Sequence, residues 1–106
     1  MPFGLRDEVI EKVHQLFSKH PQVEQVILYG SRALGRERPG SDIDLAFKGE
    51  AMNLPLLLTL ADELDDLLLP WQFDLSLYRD IENPDLRDHI DRVGVLFYKK
   101  KQSPQE

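Results

Sequence analysis

The chain has 106 residues, 42% hydrophobic and 30% charged, which suits one folded domain and excludes a disordered protein. It has no cysteine, so a disulfide framework and a zinc–thiolate centre are both excluded. Against 19 acidic residues stand 13 basic ones, and the net charge of −6 argues against extended nucleic-acid binding, which relies on many Lys and Arg contacts to phosphate.

The first eight residues show no basic region followed by an apolar one, so no secretory signal is expected and the expected location is cytoplasmic. Leu5, Val9, Val13, Leu16 and Phe17 recur at helical spacing, which predicts an amphipathic helix over residues 5–19 that ends near Pro21. Residues 23–29 form a β-branched and aromatic run stopped by Gly30, which reads as a strand. A short helix is expected over 31–34, then a loop over 35–40 with two glycines and a proline. Residues 43–47 read as the next strand, with Asp42 at its mouth. Leu57, Leu60, Ala61, Leu64, Leu67 and Leu68 mark a second helix over 53–69, terminated by Pro70. Its leucine-rich run is broken by Asp62, Glu63, Asp65 and Asp66, so it is no membrane span. A strand over 71–78 follows. Asn83, Pro84 and Asp85 supply a cap, a first-turn proline and a dipole-matching acid for a helix to Val93, with Gly94 as its stop. The last strand is 95–98. The predicted class is α/β (α+β): a small mixed sheet flanked by helices, one domain over 1–98, with a flexible basic and polar tail over 99–106.

The chemistry concentrates between Tyr29 and Leu45. Gly30 sits between a strand and a short helix, where glycine allows close backbone approach to a ligand. Backbone N–H groups at such a turn favour an anion, and Ser31 adds a hydroxyl. Alone, this pair is equally an ordinary serine-capped turn. Asp42 and Asp44 shift the balance. Residues two apart on a strand share a face, with Cα atoms roughly 6.5 Å apart. Magnesium binds carboxylate oxygen at about 2.0–2.1 Å, and catalytic metal pairs lie about 3.5–4 Å apart. Two same-face aspartates reach two such ions, and without a cation they repel. Asp74 is a third acid, among Trp71, Phe73, Leu75 and Leu77. If its strand neighbours that of Asp44, three carboxylates converge. Otherwise Asp74 lies on a solvated face with Gln72 and Ser76.

Gly30-Ser31, then residues 32–41, then Asp42-Ile43-Asp44, with the distal Asp74, resembles the polymerase-β-like nucleotidyltransferase superfamily. The resemblance is greatest to its minimal nucleotidyltransferase (MNT) members, which are paired with HEPN toxins. It covers residues 23–98 and implies a palm-like fold. It implies ATP as substrate with two Mg2+ ions, held by Asp42, Asp44 and Asp74, which are also the catalytic residues. Asp74 accepts the proton of the attacking hydroxyl in that arrangement. Gly30, Ser31 and Ser41 are the expected nucleotide-binding residues. The implied activity is AMP transfer to a hydroxyl, a tyrosine on a partner HEPN toxin, by a chain acting as antitoxin. A chain of this length leaves no residues for an acceptor domain of its own, which favours a protein acceptor and is compatible with a homo- or hetero-oligomer. Two alternatives stand beside it: an antitoxin that acts by binding alone, and a small-molecule nucleotidyltransferase of the aminoglycoside type.

Other residues read as ordinary surface or core. Arg32, Arg36 and Arg38 flank the loop as triphosphate contacts or solvated cations. Ser41 is a nucleotide ligand or a turn cap. His14, His20 and His89 show no ligand spacing and read as surface residues. Trp71 reads as core. The acidic pairs Asp62-Glu63 and Asp65-Asp66 lie near a helix C-terminus, where the dipole disfavours them, and the sequence offers no reason within the fold.

Overall fold

A computed structural model describes residues 2–38 and 40–101. Pro39 of the predicted loop and residues 102–106 of the predicted tail lie outside them.

Helix α1 (Asp7–Ser18) buries Val9, Val13, Leu16 and Phe17 and carries Asp7 and Glu8 in its first turn, where the dipole favours acids. Leu5 is buried ahead of the helix, so the predicted start lies two residues early. Strands β1 (Gln25–Tyr29), β2 (Ile43–Lys48), β3 (Phe73–Leu77) and β4 (Val95–Lys99) form one sheet in the order β3-β2-β1-β4. β1 pairs antiparallel with β2 and with β4, while β2 and β3 are parallel. A parallel pair needs a crossover, and helix α2 (Leu54–Asp66) provides it. Helix α3 (Pro84–Val93) links β3 to β4. This small mixed sheet with helices packed against it is the α/β (α+β) class expected from the sequence.

The helix starts follow the chain's own signals. Asn53 accepts a hydrogen bond from Leu56 N–H at the head of α2, and Asn83 accepts from Asp85 and Leu86 N–H at the head of α3. The ends differ from expectation. α2 stops at Asp66, short of Leu69, because Leu68 takes a left-handed φ of 55° and its N–H bonds the Asp65 carbonyl. Pro70 comes after the helix is already closed. Gly94 follows α3 with an extended backbone, so its freedom of φ is not used. A Cβ there would lie 2.3 Å from the Ile90 carbonyl oxygen and 2.6 Å from Ile27, so packing excludes any larger residue. β4 takes in Lys99, and Lys100 N–H bonds the Glu24 carbonyl at 2.8 Å, which draws these two residues out of the predicted tail and onto the sheet.

The sheet is covered on both faces. On one side Val26, Leu28, Ile43, Leu45, Phe47 and Leu77 pack against α1 and α2, with Phe17 edge-on to Phe47 at 5.3 Å. On the other, Tyr29 and Ala46 pack against Ile90 of α3, with Ile27 and Leu86 at the margin. β1 is therefore apolar from Val26 to Tyr29, and its last residue on the α3 side, Tyr29, stands where the polar residues begin. Among the described residues, no helix is long and apolar enough to cross a membrane.

Candidate active site

The strand registers build the site. Tyr29 on β1 is opposite Asp44 on β2, and Asp44 is opposite Asp74 on β3. Residues opposite one another on neighbouring strands share a face. Tyr29, Asp44 and Asp74 thus form a row across three strands, on the side covered by α3. The condition for Asp74 to meet Asp44, that their strands be neighbours, is fulfilled. Asp42 is exposed on the segment entering β2, and Asp74 is exposed on β3, while Asp44 is half-buried between them.

Immediately after Tyr29 the chain turns through a single 3-10 turn, Gly30–Arg32. Gly30 has φ 79°, and a Cβ there would lie 2.3 Å from Asp44 Oδ2. Glycine is required twice over: by the left-handed backbone and by the carboxylate packed against it. Close approach was expected of Gly30 toward a ligand. Its face is in fact turned to Asp44.

Burial holds the Asp44 carboxyl above its ordinary pKa, and the negative charges of Asp74 and Asp42 push it further. A cation among these acids would relieve that crowding. Three carboxylates are also the hard oxygen donors that magnesium takes. Among the described residues, no three His, Asp or Glu side chains are drawn into a ready metal cage, so the fit rests on donor chemistry and charge. Burial likewise raises the pKa of the Tyr29 phenol, with Ser76 on β3 opposing and the charges of Asp74 and Asp44 adding to the rise.

The sequence profile described as polymerase beta, nucleotidyltransferase matches residues 11–103. The chain belongs to this nucleotidyltransferase family. No curated protein matches it. Among solved structures, it is similar to a chain of a toxin–antitoxin crystallised with AMP-PNP, at 24% identity and TM-score 0.68, covering 92% of this chain and 77% of that one. It is similar to a chain in the complex of a tri-AMPylated Shewanella oneidensis HEPN toxin with its MNT antitoxin, at 19% identity and TM-score 0.66, covering 91% and 74%. A putative nucleotidyltransferase from Sulfolobus solfataricus matches at 24% identity and TM-score 0.54, covering 86% and 77%.

Around the acids of this nucleotidyltransferase, the remaining predicted residues fall into distinct settings. Ser31 lies half-buried within the turn, and its carbonyl accepts from Arg36 N–H at 2.8 Å. Ser41 closes the loop that leads to Asp42: its Oγ accepts from Arg38 N–H at 2.8 Å, and its own N–H bonds the Arg38 carbonyl. Among the described residues its hydroxyl hydrogen has no acceptor. Arg36 and Arg38 are exposed, but Arg32 is only 4% exposed. Its Nη1 donates to the Phe3 carbonyl at 2.7 Å and its Nη2 to the Ser41 carbonyl at 2.9 Å, with Trp71 5.6 Å beneath. Arg32 therefore ties the N-terminal segment to the residue before Asp42 and is not a free contact for triphosphate. Burial lowers its pKa, with Glu37 opposing. Removing the side chain in Arg32→Ala loses two charge-assisted bonds but relieves a desolvated cation. A net loss of about 2 kcal/mol is expected in urea unfolding, and an unchanged midpoint would refute the tie.

The histidines are where sequence reasoning fell short. His14 bonds the Phe97 carbonyl at 2.6 Å, joining α1 to β4. His20 meets Glu63 at 2.8 Å, joining the segment just after α1 to α2. That contact answers part of the acidic puzzle: Glu63 has a partner inside the fold, while Asp66 shares a surface groove with Lys12 of α1 and Lys19 at its C-cap. His89, on α3, accepts a hydrogen bond from Gly30 N–H at 3.2 Å and stands edge-on to Tyr29, 6.2 Å between ring centres. Nothing in the sequence around His89 signals this, because the contact spans 59 positions.

Proposed function

We propose that this nucleotidyltransferase moves AMP from ATP to a hydroxyl of a partner HEPN toxin, a tyrosine hydroxyl by preference, and serves as its antitoxin. The observation that carries the reading is the row formed by Asp44 and Asp74 on parallel strands, with the Gly30–Ser31 turn packed on Asp44. Support comes also from similarity to toxin–antitoxin chains, one with AMP-PNP and one beside an AMPylated toxin.

Asp42, Asp44 and Asp74 would hold two magnesium ions. When bound, magnesium neutralises phosphate charge and polarises the phosphoryl oxygens. The Gly30–Ser31 turn and the Ser41 hydroxyl orient the triphosphate through N–H and O–H donors. The acceptor oxygen attacks the α-phosphorus, the bond from that phosphorus to the bridging oxygen of the β-phosphate breaks, and pyrophosphate departs. Asp74, the most open of the acids on the strands, takes the acceptor's proton.

The test is mass spectrometry of the partner after incubation with ATP and magnesium. The partner is expected to gain adenylate with wild type. With Asp74→Asn it should gain none while the complex still forms, since Asp74 acts as base and ligand and not as a docking residue. A partner that binds tightly, never gains mass, and is neutralised equally by Asp74→Asn would make the chain a binding-only antitoxin.

A further inference from the structure

We propose that His89 is a positioning residue for nucleotide binding, which fixes the Gly30–Ser31 turn against Asp44 by accepting the Gly30 N–H. The inference rests on reading that turn as the triphosphate cradle.

Three observations converge on it. First, Gly30 is pinned from two directions. Its α-carbon faces Asp44 Oδ2, and its N–H faces His89 Nε2 at 3.2 Å. Second, the bond defines the imidazole. An acceptor at Nε2 places the ring proton on Nδ1, so the neutral tautomer is the one that holds the turn. Third, the ring is itself held: Tyr29 packs edge-on against it, and the adjacent Ile90 anchors α3 in the small core with Tyr29 and Ala46. His89 thus links a rigid helix to a turn whose left-handed glycine would otherwise be among the most mobile points of the backbone.

The consequence for ligand binding is a division of labour. Gly30 N–H is committed to His89, so it is not a phosphate donor in this arrangement. The donors left to the nucleotide are those from Ser31 onward. Their direction depends on the orientation of the Gly30 peptide, which His89 sets. Binding to a preset turn avoids the cost of ordering it on arrival of the ligand.

Two variants separate this role from plain packing. His89→Ala removes the acceptor. His89→Gln puts Oε1 at the same number of bonds from the backbone as Nε2, so it restores an acceptor without an imidazole. Calorimetric titration with ATP and magnesium is expected to give a Kd about five- to tenfold weaker for His89→Ala, the worth of one hydrogen bond. His89→Gln should return to within about twofold of wild type. Hydrogen exchange at the Gly30 amide should quicken in His89→Ala and slow again in His89→Gln. Equal ATP affinity in all three proteins would overturn the inference, as would His89→Gln binding no better than His89→Ala. Wild type that fails to bind ATP would instead overturn the reading of the turn as a cradle, and this inference with it.

Discussion

Asp44→Asn is expected to cut AMP transfer on the order of a thousandfold, because the proposed metal ligand at the reacting phosphate would be worth several kcal/mol. The same substitution should not harm the apo fold. Its sign follows from the raised pKa of Asp44, whose causes are burial and the charges of Asp74 and Asp42. An unfolded aspartate titrates near 3.9. A folded-state value above that means the native state holds more protons in the window between the two, so this group's contribution to stability falls as pH rises through it. Asparagine carries no such penalty. In chelator, urea melts from about pH 3 to pH 7 should therefore find Asp44→Asn level with wild type at the acid end and more stable at neutrality. Added magnesium should stabilise wild type and leave the variant unmoved. A variant that is less stable than wild type in chelator at pH 7 would assign Asp44 a structural role and remove the argument from charge crowding.

Gly30→Ala should be the most damaging small substitution in the site. A left-handed φ costs an L-residue about 1–2 kcal/mol, and the new methyl carbon must displace Asp44 Oδ2 from 2.3 Å. Overpacking of that kind adds about 1–3 kcal/mol. The combined loss of about 3 kcal/mol corresponds to a fall in Tm of roughly 15 °C for a domain of this size. Transfer should vanish at temperatures where the variant is still folded, since the methyl group pushes away the carboxylate proposed to hold metal. The double variant Gly30→Ala with Asp44→Gly opens the space. It should recover part of the lost Tm and none of the activity. If the double variant melts no higher than Gly30→Ala, the contact with Asp44 is not what excludes a side chain at position 30.

The elements and their order were legible along the chain because each depends on local pattern. The 3.6-residue spacing of Val9, Val13 and Leu16 marks α1, and Asn83-Pro84-Asp85 marks the head of α3 whatever lies around them. The Gly30-Ser31 and Asp42-Ile43-Asp44 pattern was equally visible, since glycine at a turn and alternating acids on a strand are features of neighbouring residues. What the sequence could not determine was who faces whom. The parallel pairing that sets Asp74 beside Asp44 depends on the α2 crossover, and β3 could have paired elsewhere without altering its own pattern. Arg32 looked like its exposed neighbours Arg36 and Arg38, yet it is buried, because the Phe3 and Ser41 carbonyls come from segments that only the folded chain brings to it. His89 looked like one polar residue on a wet helix face. Only the docking of α3 on the sheet turns it toward Gly30, and a hydrogen bond across 59 positions leaves no trace in local spacing. The sequence by itself determined which chemistry the chain carries, because residue type and short-range period are local. The tertiary structure decided which groups share a site, because strand pairing and helix docking are long-range choices made by the whole core.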